Sequence, residues 1–265
     1  MKKDGMSLTV LGARGSIPVS KAEQTLFGGA TSCYMVQAGD ETIFLDAGSG
    51  LPAAPSQVGK APVILLSHLH LDHVIGLGMY PRLSQPGAVT RLLLKADTAE
   101  DALSQLAGLY SPPFWPLPLT QYEGRLLVEP LPALLRVGDV TVESMEGCHP
   151  GGCLVFRLQH EGKRLVYATD FERDETAFER LIRFCHGSDL LLFDAQYTAE
   201  EAAARKGYGH SSAETGLELL EHSGSKRLLL IHHDPYASDE ELLRRERQLN
   251  RANVRYAREG EEYAV

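Results

Sequence analysis

Four side chains that commonly bind metals lie within one short segment, Ser67-His68-Leu69-His70-Leu71-Asp72-His73. Imidazole and carboxylate groups are the ligands that zinc and neighbouring divalent metals prefer at open sites. His68 and His70 alternate along an extended backbone and can point the same way, whereas Asp72 and His73 follow where the chain turns into a helix. The alternative is a solvated polar loop, but such a loop does not require so many histidine and aspartate side chains in so short a segment. We therefore expect this segment to bind two metals, one on each pair.

Each ion needs further ligands from distant parts of the chain. His149, Asp170 and His232 are the candidates, because each lies in the segment where a predicted strand ends. A carboxylate such as Asp170 can bridge two cations, and a water or hydroxide between them is then the expected nucleophile, since the metals lower its pKa. His233 competes with His232, and because successive strand residues face opposite sides, only one of the two can face the site.

Short strands that end in polar loops must position these residues. The apolar run Val63–Leu66 predicts a buried strand that delivers the histidine segment, and the segment from Val74 to Leu83 predicts a short helix broken by a proline. In the second half, Thr198-x-x-Glu201 and Ser211-x-x-Glu214 have the pattern of capping boxes at helix starts. Both halves run from strands to helices without a fixed-period repeat. The sequence therefore predicts an α/β fold with two mixed sheets packed face to face and helices outside.

Two other segments leave alternatives open. Ser111–Pro118 holds four prolines around the only tryptophan, so it forms either a rigid surface loop or a lid over a pocket. Its Phe114-Trp115 pair can stack on a base or fill a hydrophobic gap. Cys148 and Cys153 flank His149 and could form a disulfide or an extra metal site, but buried thiols are favoured because no second cysteine pair completes a zinc cage.

Composition limits the class of protein. A chain of 265 residues, 43% of them hydrophobic, can bury a large core, and we expect a single domain over residues 1–265. No apolar run reaches the length of about 18 residues that a membrane span needs, and Met1–Asp4 leads into a strand-like segment without an apolar leader. We therefore expect a cytoplasmic protein that does not enter a membrane. The net charge of −9 makes a long nucleic acid an unexpected partner.

The metal-ligating residues also carry a family resemblance. The pattern His-x-His-x-Asp-His at residues 68–73, followed in order by His149, Asp170 and His232, resembles the metallo-β-lactamase superfamily of metal-dependent hydrolases. The resemblance implies an αββα sandwich and favours His232 over His233 as the ligand. It also implies two divalent ions, with zinc as the default and manganese or iron as alternatives. The implied metal ligands are His68, His70, Asp72, His73, His149, Asp170 and His232.

Three further motifs resemble the ribonuclease Z-like phosphodiesterase branch of that superfamily. They are Leu11-Gly12-x-x-Gly15-Ser16-x-Pro18, Leu45-Asp46-x-Gly48-x-Gly50 and Gly209-His210-Ser211-Ser212. The resemblance implies phosphodiester hydrolysis, with His210 near the scissile phosphate. Asp46 is expected to orient a ligating histidine rather than to bind metal itself. The chain shows no Gly- and Lys-rich arm of the kind that grips tRNA. Its proline-rich loop resembles bacterial and phage relatives that include cyclic-nucleotide phosphodiesterases, as do the motifs Gly28-Gly29-x-Thr31-Ser32, Asp194-Ala195-Gln196-Tyr197 and His232-His233-Asp234-Pro235.

The sequence therefore predicts a dinuclear metal-dependent phosphodiesterase, in which His210 and Asp72 are catalytic. We expect a small nucleotide-type phosphodiester as substrate, with a cyclic nucleotide favoured. Two alternatives remain: a tRNA 3′-end endonuclease, which the same motifs permit, and a metal-binding sensor module without turnover. A homodimer is compatible with the sequence, and the proline-rich loop could then reach across to the partner's site.

Overall fold

A computed structural model describes residues 5–59 and 61–265 of the chain. The expectation about a leader at Met1–Asp4 therefore lies outside the described residues. Fourteen strands lie in the described part: β1 (Met6–Gly12), β2 (Cys33–Ala38), β3 (Glu41–Leu45), β4 (Val63–Leu65), β5 (Val89–Leu94), β6 (Arg125–Pro130), β7 (Leu134–Val137), β8 (Val140–Glu146), β9 (Leu154–His160), β10 (Lys163–Ala168), β11 (Leu190–Asp194), β12 (Leu228–Ile231), β13 (Val254–Tyr256) and β14 (Glu262–Ala264).

Six α-helices connect these strands in the described residues: α1 (Leu71–Val74), α2 (Ala99–Ala107), α3 (Glu175–Cys185), α4 (Ala199–Ala204), α5 (Ala213–Ser223) and α6 (Asp239–Leu249). Short 3₁₀ turns add Ala22–Gln24, Leu51–Ala53, Leu77–Met79, Pro81–Ser84 and Leu119–Gln121. None of the helices in the described ranges is both long and apolar enough to cross a membrane.

The strands form two seven-stranded sheets, each with a mixture of parallel and antiparallel pairs. The first has the order β14-β1-β2-β3-β4-β5-β6, and the second has the order β13-β12-β11-β10-β9-β8-β7. In the first sheet β3, β4, β5 and β6 run parallel, and in the second β10 to β13 do. Because parallel strands end at one edge, loops from both sheets can meet at a single site.

Three apolar layers hold the sandwich together. The inner layer packs the facing sides of the two sheets, with Leu65 from β4 and Leu192 from β11 both fully buried. The outer side of the second sheet is covered by α3, α5 and α6, and that of the first by α2 and the short turns. The expected αββα sandwich is thus confirmed. Burying each such leucine contributes about 1.5–3 kcal/mol before the entropy cost of ordering it.

Helix starts follow the sequence signals with one correction. Thr198 forms the complete capping box with Glu201 at the start of α4. The predicted box at Ser211 is wrong, because Ser212 is the N-cap of α5 and accepts a hydrogen bond from the Thr215 amide. The Ser211 hydroxyl instead donates to the carbonyl of Phe171, in the loop after β10. Ser211 therefore ties α5 to the loop that carries Asp170.

The segment after the histidines is less helical than predicted. Only Leu71–Val74 forms an α-helical turn, and the expected helix over Val74–Leu83 is replaced by two 3₁₀ turns. The proline-rich loop packs on these turns in its own chain: Trp115 Nε1 donates to the Tyr122 hydroxyl at 2.8 Å, which in turn donates to the Gly78 carbonyl at 2.9 Å. Trp115 thus fills a hydrophobic gap, whereas Phe114 remains 74% exposed.

Candidate metal centre

The predicted ligands all lie at the edge where strands of both sheets end. The histidine segment follows β4 in the first sheet. In the second sheet His149 follows β8, Asp170 follows β10 and His232 follows β12. Asp170 and His232 have left-handed backbones, with φ of 48° and 58°, so the chain turns sharply as each strand ends and presents the side chain towards the opposite sheet.

Three histidines and an aspartate form the first group of converging side chains. One ligand atom from each of His68, His70, His149 and Asp170 lies within 4.8 Å of the others. His149 Nε2 lies 3.1 Å from His70 Nδ1 and 3.8 Å from Asp170 Oδ2. We call His68, His70 and His149 the loop cluster, because His70 is exposed and His149 lies on a glycine-rich loop.

A second group lies deeper between the sheets. Ligand atoms of Asp72, His73 and His232 also lie within 4.8 Å of one another, and all three residues are buried. His73 Nε2 lies 3.3 Å from Asp72 Oδ2, and His232 Nε2 lies 3.1 Å from the same oxygen. We call these three residues the buried cluster.

Asp170 joins the two clusters through its two carboxylate oxygens. Oδ1 lies 3.3 Å from both His73 Nε2 and His232 Nε2, on the side of the buried cluster. Oδ2 lies 3.6 Å from His68 Nε2, on the side of the loop cluster. The structure therefore brings all seven predicted ligands together around one shared carboxylate. Their binding of metal stays a prediction.

The nitrogen atoms in this centre have the environment that a cation would complete. His68 Nε2 and His73 Nε2 are buried and have no hydrogen-bond partner among the described residues, although a carboxylate oxygen lies close to each. Unsatisfied buried nitrogen atoms are costly unless another group binds them. Imidazole and carboxylate are also the donors that zinc, manganese and iron accept. The residues present therefore fit divalent metal ions.

Local charges set the protonation of the ligands. Burial lowers the pKa of His68 to about 2, so its ring is neutral at pH 7 and offers a lone pair. Burial would also lower the pKa of His232, but the charge of Asp170 and a hydrogen bond to Asp72 raise it to about 9. Without metal the buried cluster therefore holds a proton near pH 7. A metal would displace this proton, because ligands bind metals in their deprotonated form.

A buried carboxylate orients His73. Asp46 is fully buried, and its Oδ2 accepts from His73 Nδ1 at 2.7 Å, from the Ser67 hydroxyl at 2.7 Å and from the Tyr167 hydroxyl at 2.6 Å. Its Oδ1 accepts from the Ser67 amide at 2.7 Å. This arrangement turns His73 Nε2 towards the centre, in the orienting role expected for Asp46.

His210 approaches the centre from the second sheet. Its Nδ1 lies 2.9 Å from Asp194 Oδ2, and its ring stacks on that of His232 with centroids 4.8 Å apart. Asp194 is fully buried at the end of β11. Because the carboxylate accepts from Nδ1, the other ring nitrogen of His210 is left to act on a ligand.

His233 and Arg14 serve the scaffold instead. His233 Nε2 donates to the carbonyl of Ala257 at 2.7 Å, and burial lowers the pKa of this side chain to about 3. The Arg14 guanidinium is fully buried and donates to the carbonyls of Gly28, Asp234 and Ala237. The loop after β1 therefore presents its arginine to the protein interior. The same loop contacts the candidate metal centre through the backbone amide of Ser16.

Tyr167 is a site residue that the sequence did not reveal, whereas Ser16 belongs to the Leu11–Pro18 motif identified from the sequence. The Ser16 amide donates to Asp72 Oδ2 at 2.7 Å, and Tyr167 holds Asp46 as described above. Tyr167 lies three residues before Asp170, and alternation along β10 was the one available signal that it faces the inner core. The four cysteines are free thiols, so Cys148 and Cys153 form no disulfide.

Known proteins resemble this chain over most of its length. Residues 41–233 match the family described as Beta-lactamase superfamily domain. The chain is 24% identical over 260 residues to the probable metallo-hydrolase YhfI of Bacillus subtilis (strain 168), covering 96% of this chain and 98% of that protein. It is 27% identical to a ribonuclease Z of Bradyrhizobium sp. (strain ORS 278), covering 81% and 87% of the two chains.

Solved structures share the fold. The crystal structure of YhfI superposes with a TM-score of 0.76 at 22% identity and covers 99% of this chain and 100% of that one. A diphosphatase from the PhnP family superposes with a TM-score of 0.71 at 19% identity, covering 98% of each chain. Both similarities extend over nearly the whole of this chain.

Proposed function

The chain belongs to the beta-lactamase superfamily and is a hydrolase, and from this premise we propose that it is a dinuclear metal-dependent phosphodiesterase. The observation that carries the proposal is the position of Asp170, whose two oxygens face two separate clusters of ligands. We propose that His68, His70, His149 and Asp170 hold one ion, and that Asp72, His73, His232 and Asp170 hold the other. Zinc is the first candidate, and manganese and iron also suit these ligands.

The bound ions would supply Lewis acidity towards the phosphoryl oxygens and a nucleophilic water at neutral pH. The chain's own residues supply the rest. Asp170 fixes the separation of the two clusters, and the Ser16 amide holds the Asp72 carboxylate in place. His210 is directed by Asp194 and stacks on His232, so Nε2, in the form of the ring in which both nitrogens carry a proton, can donate that proton to the departing oxygen.

A small nucleotide-type phosphodiester is the substrate that we propose, with a cyclic nucleotide favoured. The net charge of −9 opposes binding of a long polyanion. In α6, Arg244 and Arg245 both pair with Glu241, so their charges are partly neutralised within the helix. One of the structures that share the fold is described as a diphosphatase from the PhnP family.

A tRNA 3′-end endonuclease is the second candidate. It is favoured by the similarity to ribonuclease Z proteins, which covers 81% of this chain in one case. The same metal centre and the same His210 would serve either reaction, so only an assay with each substrate can distinguish the two candidates.

One assay separates these activities. Metal-free protein is reloaded with zinc or manganese and incubated with 2′,3′- and 3′,5′-cyclic nucleotides and, separately, with a precursor tRNA carrying a 3′ trailer. We expect turnover of a cyclic nucleotide. Cleavage of the precursor tRNA alone would overturn the small-substrate proposal. Bound metal without turnover of any substrate, including bis(p-nitrophenyl) phosphate, would instead support a sensor.

We also propose that residues 1–265 form one catalytic domain. The inner core takes residues from both sheets, and the candidate ligands come from loops of both. Neither sheet holds a complete set of ligands for two ions, so a chain cut between the halves would lose the site.

A further inference from the structure

Glu172 connects three loops beside the candidate metal centre. It lies two residues after Asp170, and its backbone amide donates to the carbonyl of Cys148 at 2.8 Å. Its carboxylate accepts from the Gly207 amide at 2.7 Å and from the Gly209 amide at 2.7 Å. A single side chain therefore ties the loop after β10 to the loop that precedes α5, and its backbone holds the loop after β8.

The loop held by Glu172 in turn holds His149. The carbonyl of Gly209 accepts from His149 Nδ1 at 2.9 Å, which leaves Nε2 directed at the loop cluster. Both Gly207 and Gly209 have positive φ, 91° and 92°, a conformation that other residues rarely adopt. A Cβ at Gly209 would collide with the His149 ring, whereas one at Gly207 would meet nothing within 4 Å. The orientation of His149 therefore depends on where this loop lies.

The support of His149 differs from that of His73. A carboxylate accepts directly from His73 Nδ1, but a neutral backbone carbonyl accepts from His149 Nδ1. A carbonyl on a loop with two left-handed glycines is fixed only if the loop is fixed. Glu172 supplies this fixation, because its ionised carboxylate binds the amides on either side of Tyr208, and charge-assisted bonds of this kind are stronger than neutral ones.

We propose that Glu172 is a positioning residue for His149, acting through the Gly207–Gly209 loop. This inference rests on the proposed function, because it takes His149 as a ligand of the loop-cluster metal. Loss of the Glu172 carboxylate lets the loop move, releases the carbonyl from His149 Nδ1 and misaligns Nε2. The affinity of the loop cluster for its metal then falls, whereas the buried cluster retains its metal.

The first readout is independent of metal. Long-range ¹H–¹⁵N NMR of the histidine side chains in metal-free protein reports which ring nitrogen carries the proton. We expect wild-type His149 to carry it on Nδ1 and Glu172→Ala to show a mixture of tautomers. Glu172→Gln, which keeps one acceptor oxygen, should lie between them. The matched control is Glu201→Gln, because Glu201 also accepts from a backbone amide, that of Thr198, at the start of the nearby α4. An unchanged tautomer in Glu172→Ala would overturn the proposal.

The second readout is metal affinity, measured by titrating zinc into each chelated variant. Loss of a group that orients a ligand typically weakens metal binding about 10–100-fold. In Glu172→Ala we expect the zinc affinity of the weaker of the two binding steps to fall by about 10-fold. The affinity of the tighter step should not change, and neither affinity should change in the Glu201→Gln control. A changed tautomer with unchanged zinc binding would overturn the inferred effect on metal. Wild-type protein that binds fewer than two zinc ions would contradict the proposed function itself, whatever the variants do. Thermal unfolding of Glu172→Ala and Glu172→Gln verifies that both variants are folded.

Discussion

The two clusters around Asp170 are supported in different ways. The buried cluster lies between the sheets, and its His73 is oriented by Asp46, a fully buried carboxylate that also accepts from Ser67 and Tyr167. The loop cluster lies at the rim, and its His149 is oriented by a backbone carbonyl on a glycine-rich loop. One support is part of the hydrophobic core, and the other is a set of hydrogen bonds between loops.

Because the two supports differ, substitutions in them should affect different properties: the stability of the fold at the buried support and metal binding at the loop support. A buried, fully bonded carboxylate is costly to disturb, because removing its charge leaves several buried donors without an acceptor. A loop at the rim can shift with little cost to the core, and only the ligand that depends on it is displaced. Changes at the buried support should therefore destabilise the fold, whereas changes at the loop support should weaken one metal.

Removing the shared carboxylate should have the largest effect. Asp170→Asn changes both clusters at once, so we expect loss of both metals and a fall in phosphodiester turnover of at least about 10³-fold, the upper range for loss of a single charge-stabilising group. Metal analysis and a bis(p-nitrophenyl) phosphate assay measure this. The control is Asp174→Asn, since Asp174 is the N-cap of α3 and asparagine caps equally well. Retention of two metals in Asp170→Asn would contradict the bridging role.

The next largest effect is expected at Asp46. Asp46→Asn should lower the free energy of unfolding by about 3–5 kcal/mol, the cost of breaking a buried charged network. Urea denaturation of the metal-free variant measures it. Asp40→Asn is the control, because Asp40 is exposed in the turn between β2 and β3. If Glu172→Gln proved as destabilising as Asp46→Asn, the distinction between the two supports would be wrong.

Tyr167 gives a finer test of the buried support. Tyr167→Phe removes one of three donors to Asp46 Oδ2, and we expect it to cost about 1.5–3 kcal/mol, the range for a hydrogen bond to a charged group. Tyr34→Phe is a matched control, because the Tyr34 ring lies 5.3 Å from that of Tyr167 and its buried hydroxyl has no hydrogen-bond partner in the described residues. Equal losses in the two variants, compared by urea denaturation, would argue against a specific role for the Tyr167 hydroxyl.

The smallest predicted effect compares two glycines of the loop support. Alanine at either position is strained by positive φ, at about 1–2 kcal/mol each, but only the Cβ of Gly209→Ala would displace His149. We expect Gly209→Ala to lower the zinc affinity of the loop cluster about 10-fold and Gly207→Ala to leave this affinity unchanged. Zinc titration of both variants decides this. A similar loss in both would mean that strain, and not contact with His149, is responsible.

The sequence indicated the candidate ligands but not most of the groups that support them. His68, His70, Asp72 and His73 are adjacent in the chain, so their residue types alone indicated a metal. Tyr167 and Asp46 are 121 residues apart, and no local pattern connects them. The support of His149 is a backbone carbonyl, which every residue has and which therefore gives no signal in the sequence.

Secondary structure was predictable for the same local reasons. The long apolar strands and the Thr198 cap were correct, because their signals lie within a few residues. The strands β7 and β14 were not predicted; each lies at the edge of its sheet and pairs with a single neighbouring strand. The Ser211 box was misplaced by one residue because that hydroxyl binds the distant Phe171 carbonyl. Tertiary contacts decide such cases.

A zinc titration of chelated protein, followed by hydrolysis of bis(p-nitrophenyl) phosphate, tests the central claim most directly. If the two clusters hold one ion each and both are needed, activity should rise to a plateau at about two zinc ions per chain. A plateau at one ion per chain, or two bound ions without turnover, would contradict a dinuclear phosphodiesterase.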